Sequence, residues 1–99
     1  MGKLRTTTYF LEFEDDELTK KELEQQLYNI FKEYPDDVIK YINTSCAIIN
    51  NTWKVCIVLK HYSSIKGIKT TLTTLGNGSS SIKVFHNKKL HVNDLFSKV

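Results

Sequence analysis

The sequence predicts an α+β domain in which two helices pack on one face of a four-stranded antiparallel sheet and leave the other face available. Three features indicate this: a capped amphipathic helix after an apolar strand, two β-branched segments joined by an asparagine turn, and a second amphipathic stripe before a last strand. The resulting order is the split βαβ, or ferredoxin-like βαββαβ, sandwich. Its 99 residues suit a single domain, 1–99.

The first half of the chain carries the clearest helix signal. Residues 6–14 are rich in Thr, Tyr and Phe, with Tyr9, Leu11 and Phe13 on one side of a period-two pattern, which predicts a strand. Thr19 followed by Glu22 is a capping box, so a helix is expected to begin at Lys20. Pro35 is expected to end it, because the residue before a proline is pushed out of the helical region. One apolar stripe at the helical period supports this helix: Leu23, Leu27, Ile30, Phe31 and Tyr34.

A β-hairpin is predicted in the middle of the chain. Residues 45–49 and 53–61 are β-branched and apolar, and Asn50 and Asn51 between them tolerate the positive φ of a tight turn. Residues 36–43 could form a short helical turn or an extended lead-in to the hairpin, and they are interpreted as a connection.

A second helix and a last strand complete the predicted sheet. Ser63 and Ser64 are expected to cap the helix, and Gly76 is expected to end it. Residues 82–85 are predicted to form the strand, followed by a turn at 87–89. The stripe that predicts the helix is Ile65, Ile68, Leu72 and Leu75.

Charge is divided between the halves of the chain. Residues 1–50 hold ten carboxylates and six bases, whereas 51–99 hold eight lysines and Asp94 alone. A folded domain with this division can present one surface to a polyanion and another to a protein partner. The bases after Arg5 are all lysines, which favour neutralising a phosphate backbone over recognising bases.

Lysines mixed with aromatic and hydroxyl side chains predict RNA binding in the second half. Trp53 and Tyr62 are the expected stacking residues, with core packing as an equal alternative for Trp53. Serine and threonine hydroxyls around the second helix, and the N–H groups at its start, are further expected phosphate donors. The lysines predicted to neutralise phosphates are Lys54, Lys60, Lys66, Lys69, Lys83, Lys88 and Lys89.

Catalytic and metal-binding patterns are weak, so the chain is predicted not to be an enzyme and to need no cofactor or metal. The three histidines lack the His-Glu-x-x-His spacing of a zinc site. Cys56 with His61 remains open as a nucleophilic pair, although a core thiol is favoured. The acidic run 14–17 lacks the calcium-loop register and is interpreted as solvated. No apolar run is long enough to cross a membrane.

The chain resembles the small ferredoxin-like protein subunits of eukaryotic and archaeal ribonuclease P, the Pop and Rpp family, and most of all its smaller Rpp branch. The order and spacing of several stretches carry this resemblance. They are Tyr9-Phe10-Leu11-Glu12-Phe13-Glu14-Asp15, the helix from Lys20 to Tyr34, Val55 to Lys60, Ser63-Ser64, Thr71-Leu72-Thr73-Thr74-Leu75-Gly76, and Ile82-Lys83-Val84.

The resemblance implies a noncatalytic subunit of a nuclear and nucleolar particle, either ribonuclease P or the related RNase MRP. In ribonuclease P, RNA removes 5′ leaders from precursor tRNA. The implied partners are the ribonuclease P RNA and other protein subunits, especially a barrel-folded Rpp subunit. Two alternatives stay open: a protein–protein adaptor without direct RNA contact, and an enzyme of the acylphosphatase kind, which needs a phosphate-holding arginine where the chain offers only Arg5.

Overall fold

A computed structural model of the chain describes residues 3–35, 38–62, 65, 67–75 and 81–86. The described residues form an α+β structure with a four-stranded antiparallel sheet and two helices, as predicted, and it is compatible with a ferredoxin-like fold. The sheet order is β2-β3-β1-β4. The elements are β1 (Arg5–Phe13), α1 (Lys20–Phe31), β2 (Ile39–Ile49), β3 (Thr52–His61), α2 (Ile68–Leu72) and β4 (Ser81–His86).

The core lies between the helices and one face of the sheet, the helix face. Odd-numbered residues of β1 and β3, such as Leu11 and Ile57, are fully buried there, because alternate side chains of a strand share a face. Leu23 and Leu27 of α1 and Ile68 of α2 belong to the same apolar cluster. The two inner strands therefore supply most of the surface on which the helices pack.

The opposite face of the sheet, the outer face, is less available than predicted. Thr8 and Phe10 of β1 and Cys56 of β3 point to this face, yet each is at most 4% exposed. Tyr41 of β2 is 49% exposed. The middle of the two inner strands is therefore covered on the outer face, and accessible side chains there include Tyr41 of β2, Lys60 at the end of β3 and Lys83 of β4.

The capping box of α1 is confirmed. The Thr19 hydroxyl accepts from the Glu22 N–H at 3.2 Å, and the Glu22 carboxylate accepts from the Thr19 N–H at 3.2 Å. The helix ends at Phe31, three residues earlier than predicted. Tyr34 N–H donates to the Phe31 carbonyl, a tighter i to i+3 turn, which follows from the restriction that Pro35 places on its neighbour.

The hairpin turn is also confirmed. Asn50 and Asn51 have φ values of 53° and 64°, and Ile49 faces Thr52 across the turn. The prediction of a connection over 36–43 is wrong for 39–43, which belong to β2. This part of β2 is mostly exposed on both faces, so it lacks the apolar alternation that identifies a strand.

Ile68, Leu72 and Leu75 of the second amphipathic stripe are buried as expected and Ile65 is partly buried, although regular helix covers only Ile68–Leu72. The N-cap is Gly67 at φ 89°, with no side-chain cap hydrogen bond. Threonines favour such a short element, because their hydroxyls bond to preceding carbonyls: Thr71 donates to Gly67 at 2.9 Å. β4 matches its prediction. The predicted cap at 63–64, Gly76 and the 87–89 turn lie outside the described residues.

Candidate nucleic-acid interface

Carboxylates are concentrated after β1 at one end of the sheet, beside Lys20 and Lys21, and bases outnumber carboxylates among the described residues at the other end. The acidic loop, residues 14–17, joins the end of β1 to α1. The start of β1, eight residue steps or about 26 Å away, lies beside the end of β3 and the start of β2. α1 returns toward this end, where Lys32 and Glu33 contribute opposite charges. The bases that gather here, called the basic end, are Lys3, Arg5, Lys40 and Lys60.

Tyr41 and Lys60 form the most defined feature of the basic end. They face each other across β2 and β3, and Lys60 Nζ lies 5.7 Å from the centroid of the Tyr41 ring. Both side chains are exposed on the outer face. An aromatic ring beside an ammonium group can offer a stacking surface to a base and a positive charge to the adjoining phosphate.

Tyr41 is not among the residues predicted to contact RNA, although the sequence contains a signal for its position. It fell in the segment interpreted as a connection. If the hairpin register is counted backward from Asn50 and Asn51, Tyr41 falls opposite Lys60, as the structure has it. Extending that register beyond the apolar residues would have placed this ring beside the lysine.

Two residues that were predicted to contact RNA lie where they cannot do so. Trp53 is 2% exposed and belongs to the core cluster on the helix face, so its ring cannot stack on a base. Lys54 is 6% exposed, and its Nζ lies 3.9 Å from Glu12 Oε1. Successive side chains of β3 point to opposite faces of the sheet, which explains both positions. Trp53 points into the core, and Lys54 points to the outer face, where it meets the carboxylate of Glu12 opposite it.

The remaining predicted residues do not form one patch. Lys83 is exposed on the outer face, about 13 Å along the strands and about 10 Å across them from Lys60, as the β1 register implies. Lys69 is exposed on α2, on the other side of the sheet. Tyr62 is half-buried and follows β3 at the basic end. Lys66, Lys88 and Lys89 lie outside the described residues.

The hydroxyl groups and the helix N–H groups expected to bind phosphate around α2 are poorly placed to do so. Thr71 and Thr73 donate their hydroxyl hydrogens to the carbonyls of Gly67 and Thr70, at 2.9 and 2.6 Å. α2 has five residues, too few for the aligned peptide dipoles that make a helix start attractive to anions. Ser63 and Ser64 are not among the described residues.

The thiols are not activated. Burial raises the pKa of the Cys56 thiol to about 11. Burial, and then the nearby Glu24 carboxylate, raise the pKa of Cys46. The open Cys56 and His61 pairing fails on geometry, because the two residues alternate onto opposite faces of β3. His61 is instead buried, with Nε2 at 2.8 Å from the Thr7 hydroxyl.

The acidic loop shows no metal-binding geometry. Asp15 Oδ1 accepts from the backbone N–H groups of Glu17 and Leu18, at 3.1 and 3.2 Å, and so orders the chain before α1. Across the described ranges, no group of three or more histidine, cysteine or carboxylate side chains is placed to hold a metal ion.

Comparisons with known proteins give no relative: no protein-family model, curated protein or solved structure matches the chain. Among the described residues, no helix is long and apolar enough to cross a membrane.

Proposed function

We propose that the protein is a noncatalytic, RNA-associated subunit of ribonuclease P, or of the related RNase MRP, with a ferredoxin-like fold. Its element order and its sheet order β2-β3-β1-β4 fit two split βαβ units, each inserted between the strands of the other. The proposal that the protein belongs to this particle rests on its sequence resemblance to the Pop and Rpp subunits. That assignment carries with it a nuclear and nucleolar location.

The observation that carries RNA association is the basic end with its Tyr41 and Lys60 pair. Lys60 and Tyr41 are exposed on the outer face, where Lys60 can neutralise a phosphate while Tyr41 stacks on the adjoining base. Arg5 is exposed at the adjoining end of β1, on the helix-face side opposite His61, and adds a second positive charge at the same end of the sheet. Lysine ammonium groups are point charges and match phosphate without reading sequence. The interaction is therefore one with the shape and backbone of a structured RNA.

In this proposal the RNA performs the hydrolysis and the protein stabilises the folded RNA. The raised thiol pKa values favour a structural role for the cysteines over a nucleophilic one. The proposed protein partners are other ribonuclease P subunits, especially a barrel-folded Rpp subunit. The acidic loop, about 26 Å from the basic end, leaves a protein partner room to dock without displacing RNA.

Filter binding of the full chain to precursor tRNA and to ribonuclease P RNA tests direct contact. With about four bases engaged, log affinity should fall against log salt with a slope of about −3 to −4. Lys60→Ala and Arg5→Ala should each make the slope of log affinity against log salt less negative by about 1. Lys21→Ala is the matched control, since Lys21 is exposed on the first turn of α1, beside the acidic loop. A slope near zero would exclude electrostatic RNA binding.

Purification from a native extract tests the particle itself. The proposal expects ribonuclease P RNA and its protein subunits to be recovered together, and expects ribonuclease treatment to reduce their recovery. The alternative, a protein–protein adaptor, is favoured by the apolar edge at Tyr41, Ile42 and Ile48. An adaptor would keep its protein partners after RNA digestion, and recovery of no large structured RNA would overturn the particle assignment.

A further inference from the structure

Exposed apolar side chains concentrate at the β2 edge of the sheet. Five large hydrophobic residues are substantially exposed in the described parts of the chain, and all but Leu4 belong to β2 or to the neighbouring side of α1. The four are Tyr28 at 64%, Tyr41 at 49%, Ile42 at 37% and Ile48 at 58%. Solitary exposed apolar residues are ordinary, whereas several in a row on one edge mark an interaction surface.

A groove runs along this edge between α1 and β2. It has a volume of about 410 Å³, and Leu27, Tyr28, Phe31 and Ile42 form its apolar lining. A second depression of about 320 Å³ continues it toward Cys46 and shares Glu24 and Thr44 with the first. The edge is therefore a shallow apolar channel with a strand as one wall.

Among the described strands, β2 has a pairing partner on one side only, and its other side borders this channel. Because a two-residue turn closes on a hydrogen-bonded pair, Ile49 and alternate residues before it bond to β3. The even-numbered residues from Ile42 to Ile48 then direct their N–H and C=O groups outward. No described strand pairs with that side. Edge strands are ordinarily protected by charge or proline, but residues 41–49 contain neither.

The sequence of β2 is nearly symmetric about Ser45. Ile42 and Ile48 stand three positions to either side, and Tyr41 and Ile49 stand four positions to either side. Thr44 and Cys46 flank the centre. An antiparallel strand that matches this pattern is β2 itself, read in the opposite direction.

We propose that β2 pairs with β2 of a second copy of this chain, antiparallel and centred on Ser45, to join two sheets into one of eight strands. In this register Ile42 lies opposite Ile48 of the second copy, and Tyr41 lies opposite Ile49. Each Ile42 faces the Ile48 of the other copy, and the N–H and C=O groups of both residues point away from β3. Both isoleucine pairs can therefore form the hydrogen-bonded pairs of an antiparallel ladder. A shift of two residues in either direction separates the isoleucines, so the apolar pattern selects one register.

Charge placement fits the same two-fold arrangement. Lys20 and Glu24 both border the depression that Thr44, Ser45 and Cys46 line. Pairing about Ser45 brings Lys20 and Glu24 of one copy near those of the other, so opposite charges can meet across the two-fold axis. Lys40 falls opposite Asn50, so no like charges meet along the ladder. Pairing over nine residues plus the channel gives an interface at the small end of the specific range, so a dissociation constant on the order of micromolar is expected.

Sedimentation of the full chain over the micromolar range tests the proposal. The dimer fraction should rise with concentration, and Ile48→Lys should weaken dimerisation by about tenfold or more, because two ammonium groups enter an apolar interface. Leu4→Lys makes the same change at an exposed leucine off the edge and should leave dimerisation unchanged. Circular dichroism should show both variants folded. A monomer at every concentration would overturn the proposal.

A cysteine at the two-fold position tests the register without adding charge. In a Cys46→Ser, Cys56→Ala background, Ser45→Cys should form a disulfide between copies, because directly opposed, non-hydrogen-bonded residues have Cα atoms about 4.5 Å apart. Ala47→Cys is the control, since the two copies of residue 47 would lie about 13 Å apart along the strands. Cross-linking at 47 and not at 45 would reject the Ser45-centred pairing.

Discussion

The Thr7 hydroxyl lies 2.8 Å from His61 Nε2, and this hydrogen bond joins β1 to β3 inside the core. Both residues are at most 5% exposed. Thr7 is directly opposite Leu59 in the ladder, so its contact with His61 is diagonal. The bond gives a buried imidazole a polar partner near the basic end and holds together the two inner strands.

Removing this hydroxyl should destabilise the fold. Thr7→Val keeps the shape of the side chain but deprives a buried ring nitrogen of its partner, which should lower the free energy of unfolding by about 1 to 3 kcal/mol. Thr7→Ser retains the hydroxyl and should cost less. Urea denaturation followed by circular dichroism measures both variants. Equal stability of the valine variant and the native chain would show that the bond contributes nothing.

The two leucines of β1 and its lead-in provide a matched test of the core. Leu11 is fully buried, and Leu4 is 44% exposed. Leu11→Ala should cost about 2 to 5 kcal/mol, through lost burial and a residual cavity. Leu4→Ala should change stability by less than about 0.5 kcal/mol. Thermal melts of both variants check this, and similar melting temperatures would contradict the assigned core.

The capping box predicts coupling between two side chains of α1. Thr19→Ala should lower stability by about 1 kcal/mol, because the Glu22 N–H loses its acceptor. Thr19→Ser should restore most of that loss. A double-mutant cycle with Glu22→Ala should give less than additive losses, since each residue bonds the other. Strict additivity would mean that the two hydrogen bonds act independently.

The asparagine turn should distinguish glycine from alanine. Asn51 has φ 64°, a left-handed conformation that alanine adopts only with strain. Asn51→Ala should therefore destabilise the hairpin by about 1 kcal/mol, whereas Asn51→Gly should be neutral or slightly stabilising. Denaturation midpoints of the two variants measure the difference. An alanine variant as stable as the glycine variant would exclude this turn geometry.

Cys56 should make stability depend on alkaline pH. Burial raises its pKa from 9.0 to about 11, so between these values the unfolded chain loses the thiol proton before the folded chain does. The stabilisation is complete below pH 9 and is lost as the pH rises toward 11. Relative to Cys56→Ala, the native chain should lose stability across that window. Parallel denaturation profiles for the two proteins would contradict the raised pKa.

Local signals determined how much of this molecule the sequence predicted. Thr19, Glu22 and the Asn50 turn act through neighbouring atoms, so the start of α1 and the position of the hairpin turn were predicted to the residue. Residues 39–43 were missed because an exposed edge strand is defined by backbone pairing and not by side-chain pattern. The candidate interface was also predicted less well, because the direction of each side chain depends on how the strands pair. Charge counting could not tell that Lys54 faces Glu12 and that Trp53 faces the core.

Burial of Trp53 has a practical consequence. It is the only tryptophan in the chain, and its indole lies almost wholly within the apolar cluster between sheet and helices. Its fluorescence should therefore emit at short wavelength in the native state and shift to the red when the core opens. The chain carries an intrinsic optical reporter of core integrity, away from the surface where a polyanion would bind.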